Sequence, residues 1–344
     1  MDIVNEILLR CPVKSLLRFK CACKNWYALI KTPDFVQQHL KKKNHSSTPN
    51  LLVYDYDIDD CSMTFISETE NSQTFQGMKY LIGYVDGLFL MYGYMNSVLS
   101  CALLNPASRE MRRFPGPLPM MDRYPYFGLG IDPLTNDFKV VNFFHPPCDL
   151  AAVYSCRRDS WRIFKIEDFH KPQSVFDLKC TYGNAYLNGN YYWLLTRNHI
   201  SSILLFNFRR EMFEEIEGPD PNVREYADGM MLLDESIAIL NLIANPRFYY
   251  DLWVMIQPGV WNKLITFQCF PYFISFYDTS FIIVSRASRL FSYNVRTNKT
   301  RHLGFQHSRL RIDGAIGDGG CGVSYYKKSL ITIKQQEDGE LDHY

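Results

Sequence analysis

A repeated hairpin unit constrains the fold of this chain more than any other feature of its sequence. Each copy has an apolar or aromatic residue, then an anchor residue, then a large residue six positions beyond the anchor. The anchors lie at positions 57, 105, 155, 207, 255 and 294, so consecutive anchors are separated by 48, 50, 52, 48 and 39 residues. Such a period is typical of the blades of a β-propeller.

Tighter hairpins lie between these units. Asp86-Gly87 and Asn188-Gly189 are favoured two-residue turns. Joining each tight hairpin to the unit that follows it gives five predicted blades, at 79–114, 127–165, 183–217, 229–267 and 271–304. One outer hairpin at 51–66 and one inner hairpin at 313–333 remain, and pairing them would close a ring without open sheet edges. The sequence therefore predicts a mainly β chain whose six-bladed propeller covers residues 51–334, followed by an acidic tail at 335–344.

The N-terminal part of the chain differs from the repeats in its charge and in the spacing of its apolar residues. Residues 1–44 contain nine basic and three acidic residues, which is a charge of +6, and the other 300 residues carry −5. Apolar residues recur at helical spacing, with breaks at Pro12 and near Asn25, and a further helix is predicted from about Thr32, as its N-cap, to Leu40. A unit of this size in short helices cannot bury its own apolar faces well, so it needs a partner.

The run Cys11-Pro-Val-Lys-Ser-Leu-Leu-Arg-Phe-Lys-Cys-Ala-Cys-Lys-Asn-Trp26 resembles the plant F-box. The resemblance implies an F-box over residues 1–40, a linker at 41–50, and an apolar ridge that docks on a SKP-type adaptor of a cullin ubiquitin ligase. The residues of that ridge are Pro12, Val13, Leu16, Leu17, Cys21 and Trp26. The family normally opens with a Leu-Pro pair before the position of Asp2, so we expect either a start upstream of Met1 or weaker adaptor binding.

Two other interpretations of these helices remain. They could form an amphipathic cap that only packs on the following domain. Their positive charge could also suggest nucleic-acid binding, but the basic residues are spread around the helices without interleaved stacking aromatics. We therefore expect no nucleic-acid partner.

Runs within the repeats are similar to the F-box-associated domain that follows plant F-boxes. They include Asn105-Pro-Ala-Ser-Arg-Glu, the segment 127–141 and Leu252-Trp-Val-Met255. The resemblance implies a non-catalytic substrate receptor of an SCF-type ligase, which binds a protein and presents it for ubiquitination. Within this family the chain is similar to S-locus F-box proteins, which implies a self-incompatibility ribonuclease as the substrate.

Strand order predicts where that substrate would bind. In a blade built from an inner and then an outer hairpin, both tight turns fall on one face of the ring, and the longer connections fall on the other. Loops on a rigid scaffold commonly carry binding residues, and Arg and Tyr are enriched in interface hot spots. The candidates on this face are Arg123, Tyr124, Tyr126, Arg224, Tyr226, Arg247, Phe248 and Tyr249.

The sequence contains no motif for catalysis, a metal or a cofactor. It has no HxxxH, HExxH, GxSxG or CxxC spacing, and the glycine-rich run 314–322 precedes a strand-like segment instead of the helix that a phosphate site needs. A propeller enzyme would need carboxylates on the first strands of several blades, where Leu81, Leu129 and Met230 are apolar. A propeller that binds proteins without any cullin is the other alternative.

We also expect the chain to lie in the cytoplasm or the nucleus and to have no membrane partner. The N-terminus lacks a signal-peptide cleavage site, and no apolar run approaches the ~20 residues of a membrane span.

Overall fold

A computed structural model of the chain describes residues 3–41, 51–56, 60–66, 71–76, 78, 80–117, 126–144, 150–166, 184–197, 200–219, 225–233, 235–243, 249–268, 273–277, 281–286, 289–294, 297, 299–306, 321–325 and 327–333. Within these ranges, no helix is both long enough and apolar enough to cross a membrane.

Four short helices open the chain. They are α1 Ile3–Leu9, α2 Val13–Phe19, α3 Lys24–Lys31 and α4 Pro33–Lys41. The predicted break at Pro12 is present, and the second break falls at residues 20–23, slightly before the predicted position near Asn25, which lies inside α3. The hydroxyl of Thr32 accepts a hydrogen bond from the backbone N–H of Phe35 at 3.3 Å, as predicted for an N-cap. Cys23 caps α3 in the same way, because its sulfur accepts from the N–H of Trp26 at 3.4 Å.

The described residues from 51 onward form β-strands almost throughout. The strands are β1 Leu51–Tyr56, β2 Asp60–Ile66, β3 Asn71–Gln76, β4 Tyr80–Val85, β5 Leu88–Met95, β6 Val98–Asn105, β7 Glu110–Pro115, β8 Tyr126–Ile131, β9 Phe138–Phe143, β10 Leu150–Ser155, β11 Ser160–Lys165, β12 Asn184–Leu187, β13 Asn190–Arg197, β14 Ile200–Asn207, β15 Met212–Glu217, β16 Glu225–Leu233, β17 Ser236–Ile243, β18 Tyr249–Gln257, β19 Val260–Gln268, β20 Phe273–Tyr277, β21 Phe281–Arg286, β22 Arg289–Asn294, β23 Lys299–Gln306 and β24 Cys321–Tyr325. The prediction of a mainly β chain after short N-terminal helices is confirmed.

These strands form six antiparallel four-stranded sheets within the described part of the chain. Five sheets use consecutive strands, β4–β7, β8–β11, β12–β15, β16–β19 and β20–β23, and their bounds agree with the five blades predicted from the repeat. The first strands of neighbouring sheets contact one another, from β4 with β8 through to β20 with β24. The first strand of each blade therefore faces the centre of the propeller.

The remaining sheet joins the two ends of the propeller, in the order β24-β1-β2-β3. Leu51 of β1 lies opposite Tyr325 of β24. The set of strands in this sheet corrects the prediction. Two strands were expected from each end of the chain, but one comes from the C-terminal end and three come from the N-terminal end. The fourth strand is β3, whose polar sequence Asn-Ser-Gln-Thr-Phe-Gln lacks the apolar alternation that predicts a strand. Residues 327–333 lie outside any sheet.

The anchor residue of the repeat has a simple structural role, which is to form a turn. Asn105 Oδ1 accepts a hydrogen bond from the backbone N–H of Ala107 at 2.9 Å. Asn207, Asn294 and Ser155 accept from backbone N–H groups two or three residues further on in the same way. The side chain replaces a backbone acceptor at the start of the turn, so a short polar residue suits this position, and Met255 is the anchor in the sequence that fits the repeat less well.

The large residue of the repeat packs one blade on the next. The indole N–H of Trp161 donates to the carbonyl of Pro115 at 2.7 Å, which links the outer strands of two neighbouring blades. Trp261 makes the equivalent bond to Glu217, at 2.8 Å, two blades further along. Phe213 takes this position in the blade between them, and its ring packs edge-on against Phe143 of the preceding blade, with centroids 5.9 Å apart. The repeat therefore specifies contacts between blades as well as turns within them.

Aromatic side chains fill the space beside β8. Every residue of this first strand is buried. Its glycines let two rings approach closely, because a Cβ added at Gly128 would collide with Tyr191 and one added at Gly130 would overlap the ring of Phe208. Tyr191 and Phe208 are both almost completely buried.

Replacement of Gly130 by Ala should destabilise the propeller. The added methyl group must displace the buried ring of Phe208, and overpacking of this kind costs about 1–3 kcal/mol of the free energy of unfolding. Gly83→Ala is the control on the neighbouring first strand, because its Cβ would lie 3.1 Å from the Tyr191 hydroxyl, a much milder contact. Chemical denaturation measures both variants. Equal losses of stability would contradict the packing described here.

Candidate functional site

The four helices pack around a small core of their own. Its buried members are Leu8, Leu9, Val13, Leu16, Ile30, Phe35 and Leu330. Six of these residues come from the helices, and Leu330 comes from the other end of the chain. Leu17, Leu29, Trp26 and other half-buried residues pack against this core. The helices and a C-terminal residue therefore form one packed unit.

This core changes the interpretation of two predicted adaptor contacts. Val13 is 2% exposed and Leu16 is fully buried. In this arrangement neither side chain is available to a partner, which corrects the prediction for these two residues. The physical reason is that so small a unit needs the inner face of α2 to build its own core.

The other four predicted adaptor contacts have accessible surface. Pro12 and Cys21 are exposed, whereas Leu17 and Trp26 are half-buried. The indole of Trp26 packs edge-on against Phe19, with ring centroids 5.4 Å apart. Adaptor contact by these four residues stays a prediction.

Helix α1 has an exposed apolar face that was not predicted from the sequence. Ile3 is 75% exposed and Ile7 is 58% exposed, and Tyr27 of α3 is also largely exposed. Ile3 and Ile7 are four residues apart and lie on one side of α1, whereas Leu8 and Leu9 face the core. A helix that is apolar on two faces needs two neighbours, and this pattern in the sequence could have identified the exposed face.

Residues 327–333, which we call the junction segment, lie between the helices and the propeller. Leu330 is 4% exposed and belongs to the helical core. Ile331 and Ile333 are also buried, but they pack in a propeller cluster that includes Leu40 of α4. The two sides of the segment therefore contact two different parts of the protein.

Hydrogen bonds fix the junction segment to the β4–β7 blade. The amide nitrogen of Asn105 donates to the carbonyls of Ser329 at 3.2 Å and Ile331 at 2.7 Å. The backbone N–H of Lys327 donates to the Tyr84 hydroxyl at 2.5 Å, and that hydroxyl donates to the Lys327 carbonyl at 3.2 Å. These bonds replace a sheet partner for a segment that belongs to no sheet.

Further contacts complete the junction. The ammonium group of Lys327 donates to the carbonyl of Leu40, close to the end of α4. The N–H of Ile333 donates to the Glu110 carboxylate at 3.1 Å. Gly87 has φ +94°, and any Cβ there would collide with Ser329. The tight turn at Gly87 therefore accepts only glycine, for its conformation and for the space it leaves.

Burial dominates the electrostatics of the junction. It lowers the pKa of Lys327 and raises the pKa of Asp86, and in each case the charge of the other residue acts in the opposite direction. Burial likewise lowers the pKa of Lys20, near the end of α2, and the Glu110 carboxylate opposes that change. Oppositely charged groups are thus placed together where the helices meet the blade.

These contacts show which face of the propeller carries the helices. The junction segment contacts Gly87 in the β4–β5 turn, and the helical core contacts Ala107 in the β6–β7 turn. In an antiparallel blade these two turns are at the same end. The helices therefore lie on the tight-turn face, and the last strand of this blade, β7, ends at the opposite face.

Most of the predicted substrate contacts cannot be placed. Arg123, Tyr124, Arg224, Arg247 and Phe248 lie outside the described residues.

The structure places the other three candidates on strands. Tyr226 lies in β16, opposite Leu242. Tyr249 begins β18 and is half-buried. Tyr126 is buried, at 6% exposure, and its ring stacks on Phe143 with centroids 4.8 Å apart. This corrects the prediction for Tyr126, which fills the space between two blades because β8 begins at that residue.

The described residues contain no group of three or more His, Cys, Asp or Glu side chains that could hold a metal ion. A family model for the F-box domain matches residues 1–38. A second, for the F-box associated β-propeller domain, matches residues 40–331. The chain belongs to the F-box proteins with this propeller domain. Its helices are the F-box module, and they include the F-box-like run at Cys11–Trp26.

Curated relatives agree with this assignment. The chain is 28% identical to the F-box protein CPR1 of Arabidopsis thaliana, over 78% of this chain and 72% of that protein. It is 29% identical to the F-box/WD-40 repeat-containing protein 1 of Arabidopsis thaliana, over 62% of this chain and 54% of that protein. A solved Dos1 propeller is also similar, with 8% identity, a TM-score of 0.41, and coverage of 75% of this chain and 68% of that chain.

Leu16→Ala should loosen the F-box module from within. Removing this fully buried side chain leaves a cavity, and changes of this kind cost about 2–5 kcal/mol. Hydrogen exchange of the α1–α4 amides should rise in the full-length protein. Ile7→Ala is the control on the exposed face of α1 and should change stability by less than about 0.5 kcal/mol. A larger effect at Ile7 than at Leu16 would show that the helical core has been assigned to the wrong face.

Proposed function

We propose that this F-box protein is the substrate-recognition subunit of an SCF-type E3 ubiquitin ligase. Its F-box module binds a SKP-type adaptor and, through it, a cullin, while the propeller holds a protein substrate. The chain contributes no catalytic group. It acts by proximity, because tethering raises the effective concentration of substrate lysines near the charged conjugating enzyme. We place this assembly in the cytoplasm or the nucleus.

The exposed apolar face of α1 is the observation that carries the adaptor proposal. Leu8 and Leu9 are already buried in the F-box core, so Ile3 and Ile7 are not needed there. Tyr27 of α3 is a third exposed side chain, at 46% exposure, and the Lys31 ammonium group lies over its ring. Apolar groups held together on a rigid surface favour burial by a protein partner.

Replacing Ile3 and Ile7 together with Ser should weaken adaptor binding by about tenfold or more, because each apolar side chain that is fully buried contributes about 1.5–3 kcal/mol. Calorimetric titration with a purified SKP-type adaptor measures the affinity. The matched control is Ile256→Ser with Val260→Ser, two exposed apolar residues of the β18–β19 hairpin.

The control variant should bind as the unsubstituted protein does. Equal binding by all three proteins would show that the adaptor uses another face of the F-box module. Failure of the unsubstituted protein to bind the adaptor would favour the alternative of a propeller that binds proteins without a cullin.

We propose the face opposite the F-box module as the substrate surface. The F-box module and the junction segment occupy the tight-turn face, so an adaptor and a substrate can bind together only if the substrate uses a separate surface. Arg123, Tyr124, Arg224, Tyr226, Arg247, Phe248 and Tyr249 are the proposed contacts, and Tyr126 is left out because it is buried. The similarity to S-locus F-box proteins makes a self-incompatibility ribonuclease the first substrate to test.

An enzymatic propeller is a weaker alternative. Propeller enzymes bind substrates near the centre of the ring, where the described residues beside β8 are packed with aromatic side chains. Leu129 of β8 and Met230 of β16 are buried and apolar. These positions provide neither a carboxylate nor open space.

Changing Arg123, Arg224 and Phe248 together to Ala should remove substrate capture and leave adaptor binding unchanged. Arg158→Ala with Arg210→Ala is the control on the tight-turn face, where both side chains are exposed. Affinity purification with quantitative mass spectrometry measures captured proteins, with the adaptor as internal standard, and a purified self-incompatibility ribonuclease provides a defined probe. Loss of capture in the control variant alone would place the substrate on the tight-turn face.

A further inference from the structure

We infer that Leu330 is a positioning residue for adaptor binding, because the C-terminal end of the propeller completes the core of the F-box module. This inference rests on the proposed function, since adaptor binding is its readout. It assigns a role in the F-box module to a residue outside the match to the F-box domain, which ends at residue 38.

The first step concerns the core itself. Leu330 packs with Leu8, Leu16 and Phe35, and its side chain is almost fully buried there. A module of about forty residues has too small an interior to be stable alone, so one further large apolar side chain is a substantial part of its core. Without Leu330, the inner faces of the helices would border a cavity.

The second step concerns what holds Leu330 in place. The residues on both sides of it, Ser329 and Ile331, have their carbonyls bound by the side-chain amide of Asn105. The hydroxyl of Ser329 also accepts the N–H of Ile331, at 3.1 Å. Leu330 is therefore positioned by the β4–β7 blade, and the F-box module packs on a residue that the propeller presents.

The third step connects Leu330 to the adaptor surface. Helix α1 spans only seven residues, which is too short for an isolated helix to be stable in water. Its position depends on Leu8 and Leu9, which share the core with Leu330. Ile3 and Ile7 extend from the other side of the same helix, so loss of Leu330 loosens the surface that we assign to the adaptor.

The fourth step concerns the propeller. Strand β24 ends at Tyr325 and pairs with β1 in the sheet that contains both ends of the propeller. The junction segment begins two residues later, at Lys327. Leu330 therefore follows by five residues the strand that joins the two ends of the propeller, and the bonds to the β4–β7 blade hold it there.

The experiment uses the full-length protein with Leu330→Ala. Adaptor affinity should fall by about tenfold or more, and hydrogen exchange of the α1–α4 amides should rise, because the deleted side chain leaves a cavity in the F-box core. Hydrogen exchange of the β5 and β6 amides, in the middle of the β4–β7 blade, should stay unchanged. Leu330→Met should keep adaptor affinity and α1–α4 exchange close to those of the unsubstituted protein. Thr332→Ala, at an exposed position of the same segment, should change neither.

A second variant tests the positioning without changing Leu330. Asn105→Asp keeps the Oδ1 acceptor that forms the turn with Ala107 but replaces the donor to Ser329 and Ile331 with a second oxygen. It should weaken adaptor binding and raise hydrogen exchange of the α1–α4 amides, as Leu330→Ala does. Asn207→Asp is the matched control, because Asn207 is the anchor of another blade and its amide bonds to Asn190 instead of the junction segment.

Unchanged adaptor affinity in both Leu330→Ala and Asn105→Asp would overturn the inference. Weaker adaptor binding with unchanged α1–α4 exchange would also overturn it, since Leu330 would then contact the adaptor directly. If Leu330→Ala unfolds the propeller, the adaptor affinity and the α1–α4 exchange of Asn105→Asp decide whether the position of Leu330 matters. If the unsubstituted protein does not bind the adaptor, the proposed function fails, but the exchange measurement still tests whether Leu330 completes the F-box core.

Discussion

The side-chain amide of Asn105 connects three parts of this protein. Its oxygen forms the turn between β6 and β7, and its nitrogen binds two carbonyls of the junction segment. That segment places Leu330 in the F-box core and Ile331 in the propeller core. The amide is fully buried, so its hydrogen bonds are made without competition from water. The Asn105 amide therefore links the F-box module, the junction segment and the β4–β7 blade.

This arrangement is compatible with the two partners proposed above. Attachment of the F-box module to the tight-turn face leaves Ile3 and Ile7 of α1 exposed. Within the propeller, the blades are packed by contacts such as the bond from Trp161 to Pro115, which joins neighbours at their outer strands. In the proposed function, a propeller packed in this way keeps a bound substrate near the adaptor, which raises the effective concentration of its lysines.

Local chemistry made much of the fold predictable. The anchors were recognisable because a turn needs a short polar acceptor, and Asn207 and Asn294 provide it in the structure. The N-cap at Thr32 follows the same logic. Predictions failed where a residue's role depends on distant parts of the chain. Tyr126 and Leu16 each sit in a core built from other segments, and β3 pairs with β2 although its sequence has no apolar alternation.

The sequence by itself determined five of the six blades, their turns and the family to which the chain belongs, because each of these depends on residues close together in the chain. Only the tertiary structure decided which side of α1 is buried and which face of the propeller carries the F-box module. It also placed Leu330 in a core whose other buried residues all lie between Leu8 and Phe35. The physical reason is that burial depends on packing between segments nearly three hundred residues apart, and no local pattern encodes which apolar side chain meets which surface.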